Sequence, residues 1–286
     1  MNAGTELWLF VVSLGASALG GMLGMASGIF IVPILTMWGH VDIRSAIGAS
    51  IVSVIACSCG SAGSFLRGRL TNVRLAILLE TATTSGALSG VLLAGAIPVS
   101  YLFLILGMVL LVSAHQMLAK RRDSGLARIQ FPTGGSTTWQ LNSSYPDRAL
   151  GREIGYRVER LPLGMALMYV AGLISALLGI GSGVLKVPAM DSALRLPIKV
   201  SSATSNFMIS VTAAASAGAY LVRGNIVALI AGPVALGSVI GAMLGARFLI
   251  SISNERIRLM FVVVLLALAA QMFVAAFARG LFGGIA

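Results

Sequence analysis

Ionisable side chains are scarce in this sequence: 10% of its 286 residues are charged, and Asp and Glu together number 9. With 57% hydrophobic residues, that balance excludes an ordinary soluble domain. Cysteine is just as sparse. Cys57 and Cys59 lie two apart in one apolar run, where a helix turns them to different faces, so they are expected to be packing residues rather than a disulfide or a metal site. The two histidines, His40 and His115, sit at the ends of apolar runs, where a wet imidazole needs no special role. The chain has no HExxH, no P-loop and no strand-helix dinucleotide pattern. Nor does it have a nucleophile grouped with a base and an orienting residue, so neither an enzyme nor a cofactor is expected.

Long apolar runs are abundant, and mean hydropathy is +0.96. They fall near 6–24, 45–66, 75–95, 99–119, 163–181, 200–222, 225–246 and 259–278. Each is close to the roughly 20 residues a helix needs to cross about 30 Å of hydrocarbon. Backbone polar groups in lipid must be paired within the segment, so runs of this length are helices rather than barrel strands. The expected fold class is therefore all-α: a polytopic integral membrane protein with about eight crossings, its partner the lipid bilayer. Glu80 is the one charged residue interior to a run, apart from Glu6 at the start of the first.

The net charge of +11 raises a nucleic-acid reading. Its distribution excludes one. Eight of the 20 basic residues lie in 120–160, and most others flank apolar runs, as cytoplasmic loops require. Placing 120–160 inside puts Arg67, Arg69, Arg74, Arg223 and Arg279 on the same side. Arg44, Arg195, Lys199, Arg247, Arg256 and Arg258 then lie outside, and both termini are cytoplasmic.

An internal repeat organises the chain. Leu23-Gly24-Met25-Ala26-Ser27-Gly28-Ile29-Phe30-Ile31-Val32-Pro33 aligns with Leu178-Gly179-Ile180-Gly181-Ser182-Gly183-Val184-Leu185-Lys186-Val187-Pro188, 155 residues on. The same offset sets Gly48-Ala49-Ser50 on Ala203-Thr204-Ser205. The expected organisation is a first transmembrane repeat at 1–119, a cytoplasmic connector at 120–160 and a second repeat at 161–286. Four crossings per repeat give parallel halves about an axis through the bilayer, and an additional crossing at each Gly-rich motif would instead give halves of inverted topology. The connector contains turn formers at Phe131 to Thr138 and no sustained helical period. Residues 6–24 lack a basic leader and have a mate in mid-chain, so they read as a fold element rather than a secretory signal.

The Gly-rich motifs are where the halves agree best. Glycine allows the backbone to unwind at membrane depth, and the N-terminus of the half-helix that follows offers free N–H groups to an anion. The alternative is close helix packing through Gly20, Gly24 and Gly28, spaced four apart. The candidate substrate-binding set is Ser27, Gly28, Ala49 and Ser50 from the first half, with Gly181, Ser182, Gly183, Lys186, Thr204, Ser205 and Asn206 from the second. Lys186 either neutralises an anion or snorkels towards the outer interface near Asp191. Glu80 is either a proton-coupling carboxylate or a solvated group paired with Arg74.

At these motifs the chain resembles the sulfite exporter TauE/SafE family, also called the 4-toluene sulfonate uptake permease family. The resemblance rests on Gly24 to Pro33 with Ala46-Ile47-Gly48-Ala49-Ser50, and on Gly179 to Pro188 with Ser201 to Asn206. Met25 and Ala26 stand where glycine is common in that family. The resemblance implies a multi-pass inner-membrane secondary transporter for a small sulfur-containing anion, working by alternating access and coupled to a proton, another ion or the substrate's own gradient. The competing class is a membrane assembly or scaffold protein whose small-residue faces serve packing alone.

Overall fold

The computed structural model describes residues 3–25, 27–39, 41–93, 104, 107–115, 117–118, 141–147, 151–178, 183–222, 224 and 226–282. In the first half of the sequence these form α1 (Ala3–Leu23), α2 (Gly28–Met37), α3 (Ile43–Arg67), α4 (Val73–Leu93) and α5 (107–115). A two-stranded sheet of β1 (Ser143–Asp147) and β2 (Arg152–Tyr156) follows. The second half forms α6 (Leu161–Leu178), α7 (Gly183–Ser192), α8 (Ile198–Val222), α9 (Ala228–Ser251) and α10 (Asn254–Phe282). Among the described residues, α1, α3, α9 and α10 contain stretches long and apolar enough to cross a membrane.

Two features of the architecture stand out. A short helix of ten residues follows each Gly-rich motif, so α1-α2-α3 and α6-α7-α8 both run long, short, long. The connector holds a β-hairpin, an exception to the all-helical expectation, with Gly151 at φ +63° just before β2. Five-residue strands leave no helical period to detect, and most of 99–119 and all of 120–140 lie outside the described residues.

The chain packs as two compact units, each taking helices from both halves of the sequence. The first comprises Met1–Ile77, Ser144–Ile154 and Lys199–Ile252, and so contains α1, α2, α3, α9 and nearly all of α8. In it, Gly237, Gly241 and Gly245 of α9 face the backbone oxygens of Phe10, Leu14 and Ala18 of α1. A side chain at any of the three would collide with main chain. Small residues four apart let two membrane helices approach at backbone distance, where packing supplies the attraction that lipid does not. An apolar cluster of Leu9, Ala16, Ile31, Leu35, Ala46, Ala49 and Val234 fills the space around α2.

The second unit comprises Leu78–Ser143, Gly155–Ile198 and Ser253–Ala286, with most of α4, α5, α6, α7 and α10. Gly86 of α4 meets the Tyr169 carbonyl of α6, and Gly172 of α6 meets the Thr83 carbonyl of α4. This reciprocal contact brings the two helices to backbone distance. The Tyr169 hydroxyl donates to Ser89 Oγ at 2.8 Å. The buried α7 contains Pro188, whose missing N–H removes one hydrogen bond from an already short helix.

Candidate functional site

The first unit is broken at Gly24. Its φ of +73° belongs to the left-handed region, and a Cβ there would lie 2.5 Å from the Ser202 carbonyl oxygen and 2.7 Å from Ser202 Cα. Only glycine satisfies both conditions without a shift of backbone. α1 therefore ends among buried residues, and a helix end leaves carbonyls without intrahelical donors. α8 supplies them: Asn206 Nδ2 donates to the Gly21 oxygen at 2.6 Å and Ser205 Oγ to the Gly24 oxygen at 2.7 Å.

α2 starts four residues later. Ser27 occupies its N-cap position and is fully buried, but its hydroxyl does not cap the helix. It lies 2.7 Å from Ser53 Oγ, which lies 2.6 Å from Ser238 Oγ, forming a chain of three hydroxyls from α2, α3 and α9. The first N–H groups of α2 thus receive no side-chain oxygen from the N-cap residue. Gly28 is tight against α3, since a Cβ there would come within 2.6 Å of Ser50 Oγ.

Of the candidate residues in this unit, Ser27, Ala49, Ser50, Thr204, Ser205 and Asn206 are all buried. They do not serve alike. Ser205 and Asn206 each spend a donor on α1 carbonyls, Thr204 Oγ1 accepts the Asn72 N–H at 3.2 Å, and Ala49 belongs to the apolar cluster. The candidate set read from the sequence did not include Ser53, Ser201, Ser202 or Ser238. The Oγ atoms of Ser201 and Ser202 are buried with no partner, as is Asn206 Oδ1. Unpaired polar atoms in a low-dielectric interior are costly, of order 1–3 kcal/mol each, which is why they mark places where a solute or water belongs. Helices α2, α3, α8 and α9 carry no acidic residue, so a negative solute meets no like charge from them.

In the second unit, Gly181 and Ser182 fall outside the described residues, and α7 begins at the buried Gly183. Lys186 is fully buried and its Nζ lies 3.0 Å from Glu80 Oε2 of α4. This corrects two expectations. Lys186 does not snorkel towards Asp191, which instead pairs with Arg258 of α10 at 3.2 Å. The Glu80 carboxylate is held by Lys186, and its second oxygen, Oε1, is buried without a partner. The two residues stand 106 positions apart in helices that no local pattern links. A buried pair of this kind is costly to assemble, and loss of either partner costs about 3–5 kcal/mol through the charge left behind.

Cys57 is buried, its thiol donating to the Ser17 carbonyl at 3.6 Å, whereas Cys59 is exposed. They occupy different faces of α3, as their spacing requires.

Against known proteins, the family model described as sulfite exporter TauE/SafE matches residues 9–272. The chain is also similar to the probable membrane transporter protein YunE of Bacillus subtilis (strain 168). The two are 23% identical over 271 residues, covering 92% of this chain and 96% of the relative. No solved structure matches the chain.

Proposed function

The chain belongs to the sulfite exporter TauE/SafE family of membrane transporters, and from that premise we propose that it carries a small sulfur-containing anion, such as sulfite or a sulfonate, by alternating access. The observation that carries the reading is the buried break between α1 and α2, with Ser27 at α2's uncapped N-terminus and the unpartnered hydroxyls of Ser201 and Ser202. Hydroxyls, N–H groups and the positive end of a helix dipole are the donors that a sulfur oxyanion accepts from. Broken helices are how membrane carriers expose such groups at depth.

On this reading the first unit offers Ser27, Gly28, Ser50 and the Ser201 to Asn206 stretch to the substrate. The second unit, taken by itself, offers Gly183 and the ammonium of Lys186, following Gly181 and Ser182 of the second motif. Eight crossings arranged as two parallel repeats, an inner-membrane location and cytoplasmic termini with a cytoplasmic 120–160 connector complete the proposal, the charge bias supporting its orientation.

The test is counterflow in proteoliposomes. Vesicles loaded with unlabelled sulfite or methanesulfonate take up the labelled anion faster than empty or protein-free vesicles if the proposal holds. Uptake no faster than in empty or protein-free vesicles refutes it and leaves packing as the role of the small-residue faces.

A further inference from the structure

The Glu80–Lys186 pair differs from the Arg195–Glu159 and Arg258–Asp191 pairs. Arg195–Glu159 is exposed on both sides, and Arg258–Asp191 lies beside the first turn of α10, where charges are frequent. Lys186 keeps none of its surface, whereas the Glu80 side chain keeps 12%, and Glu80 Oε1 has no hydrogen-bond partner. An ionised carboxylate accepts at both oxygens, and a protonated one donates from one of them. The carboxylate is therefore the member with some exposed surface and, buried beside it, a vacant oxygen.

Among the described residues of the neighbouring helices, charged and titratable groups are few. α6, packed beside α7, contains no charged residue, and its titratable group, Tyr169, donates its hydroxyl to Ser89. The next charge on α7 itself, Asp191, is held by Arg258 of α10, whose other nearby charges are Glu255 and Arg256. The described stretch of α5 carries His115 at its end. On α4, Arg74 lies six positions before Glu80.

We propose that this pair couples the anion to a proton: Glu80 takes up one proton as Lys186 takes up one anion, and both are released together. The inference rests on the transport reading above, and it names the coupling ion and the stoichiometry. The charges balance. The resting pair is neutral, and protonation of Glu80 at Oε1 leaves one uncompensated ammonium in a low-dielectric interior. A monoanion beside Lys186 restores neutrality. Either ligand alone leaves a buried net charge, so each raises the affinity for the other by the same factor.

The experiment uses the full chain in proteoliposomes with labelled methanesulfonate, whose own charge does not change with mild pH, and labelled sulfite in parallel. In wild type, an outside-acid gradient of one pH unit is expected to drive about tenfold accumulation of methanesulfonate, with a matching proton influx seen by a trapped pH dye, the signature of one-to-one symport. Glu80→Gln, a permanent mimic of the protonated acid, is expected to keep counterflow, lose accumulation and bind the anion independently of pH. Because that variant strands a buried lysine, Glu80→Gln with Lys186→Gln is measured beside it; the double variant loses both accumulation and tight binding. Counterflow in wild type without gradient-driven accumulation or proton influx overturns the coupling and leaves the transport reading standing. Absence of counterflow for both anions overturns both.

Discussion

Replacing Gly24 by alanine tests the helix break directly. An alanine Cβ would lie 2.5 Å from the Ser202 oxygen, 2.7 Å from its Cα and 2.9 Å from its carbonyl carbon, and all three are backbone atoms that cannot rotate aside. The φ of +73° adds left-handed strain of about 1–2 kcal/mol for a residue with a Cβ. Overpacking against main chain adds roughly 1–3 kcal/mol. The total, about 2–5 kcal/mol, is a large share of a typical stability of roughly 5–15 kcal/mol. Thermal unfolding of the purified protein in detergent should then shift downward by roughly 4–20 °C, at about 2–4 °C per kcal/mol for a chain of this size. Gly15→Ala is the control. Gly15 lies inside α1 with nothing within 4 Å of the position a Cβ would take, so alanine should hold or raise stability by about 0.5–1 kcal/mol. A Gly24→Ala protein as stable as Gly15→Ala would refute both the left-handed turn and the close approach of α8.

Three further outcomes follow from the packing. Gly241→Leu places a side chain against the Leu14 carbonyl and should split α1 from α9, seen as loss of a monodisperse folded peak in size-exclusion chromatography, while Gly63→Ala, with open space around it, should not. Asp191→Asn leaves Arg258 without its buried counter-charge and should cost about 3–5 kcal/mol in denaturant unfolding, against less than ~1 kcal/mol for Glu159→Gln at the exposed Arg195 pair. A small membrane-permeable maleimide should label Cys59 in the folded protein and reach the buried Cys57 only after denaturation, so Cys59→Ser should abolish native-state labelling by mass spectrometry.

The membrane-helical character was legible because apolar runs near 20 residues, with charge confined between them, leave few other solutions. The first break was legible because Gly24 and Gly28 sit beside Ser27 in a motif that recurs 155 residues later. What a hydroxyl does at such a break was not legible. Ser205 and Asn206 look like free donors in sequence, but the end of α1 creates orphan carbonyls nearby, and these two side chains answer them. Ser238 carries no sequence signal beyond being a lone hydroxyl in an apolar run, and its place in the hydroxyl chain depends on the glycine-lined approach of α9 to α1 and α3. The Glu80–Lys186 pair was hidden for a different reason. Separation in sequence gives no information on a contact that only tertiary packing creates, and each residue alone had an unremarkable interfacial explanation.

The central claim is that an anion binds to buried donors of this chain, those at the polar break between α1 and α2 among them. Its most direct measurement is equilibrium binding of labelled sulfite and methanesulfonate to the purified protein, comparing wild type with Ser202→Ala, Gly28→Ala and the control Gly15→Ala. Saturable binding that weakens at least about tenfold in Ser202→Ala and Gly28→Ala, one hydrogen bond or one steric overlap being worth ~1.4 kcal/mol, and that Gly15→Ala leaves unchanged, is the predicted result. Identical binding curves for all four proteins, each shown to be folded, would contradict it.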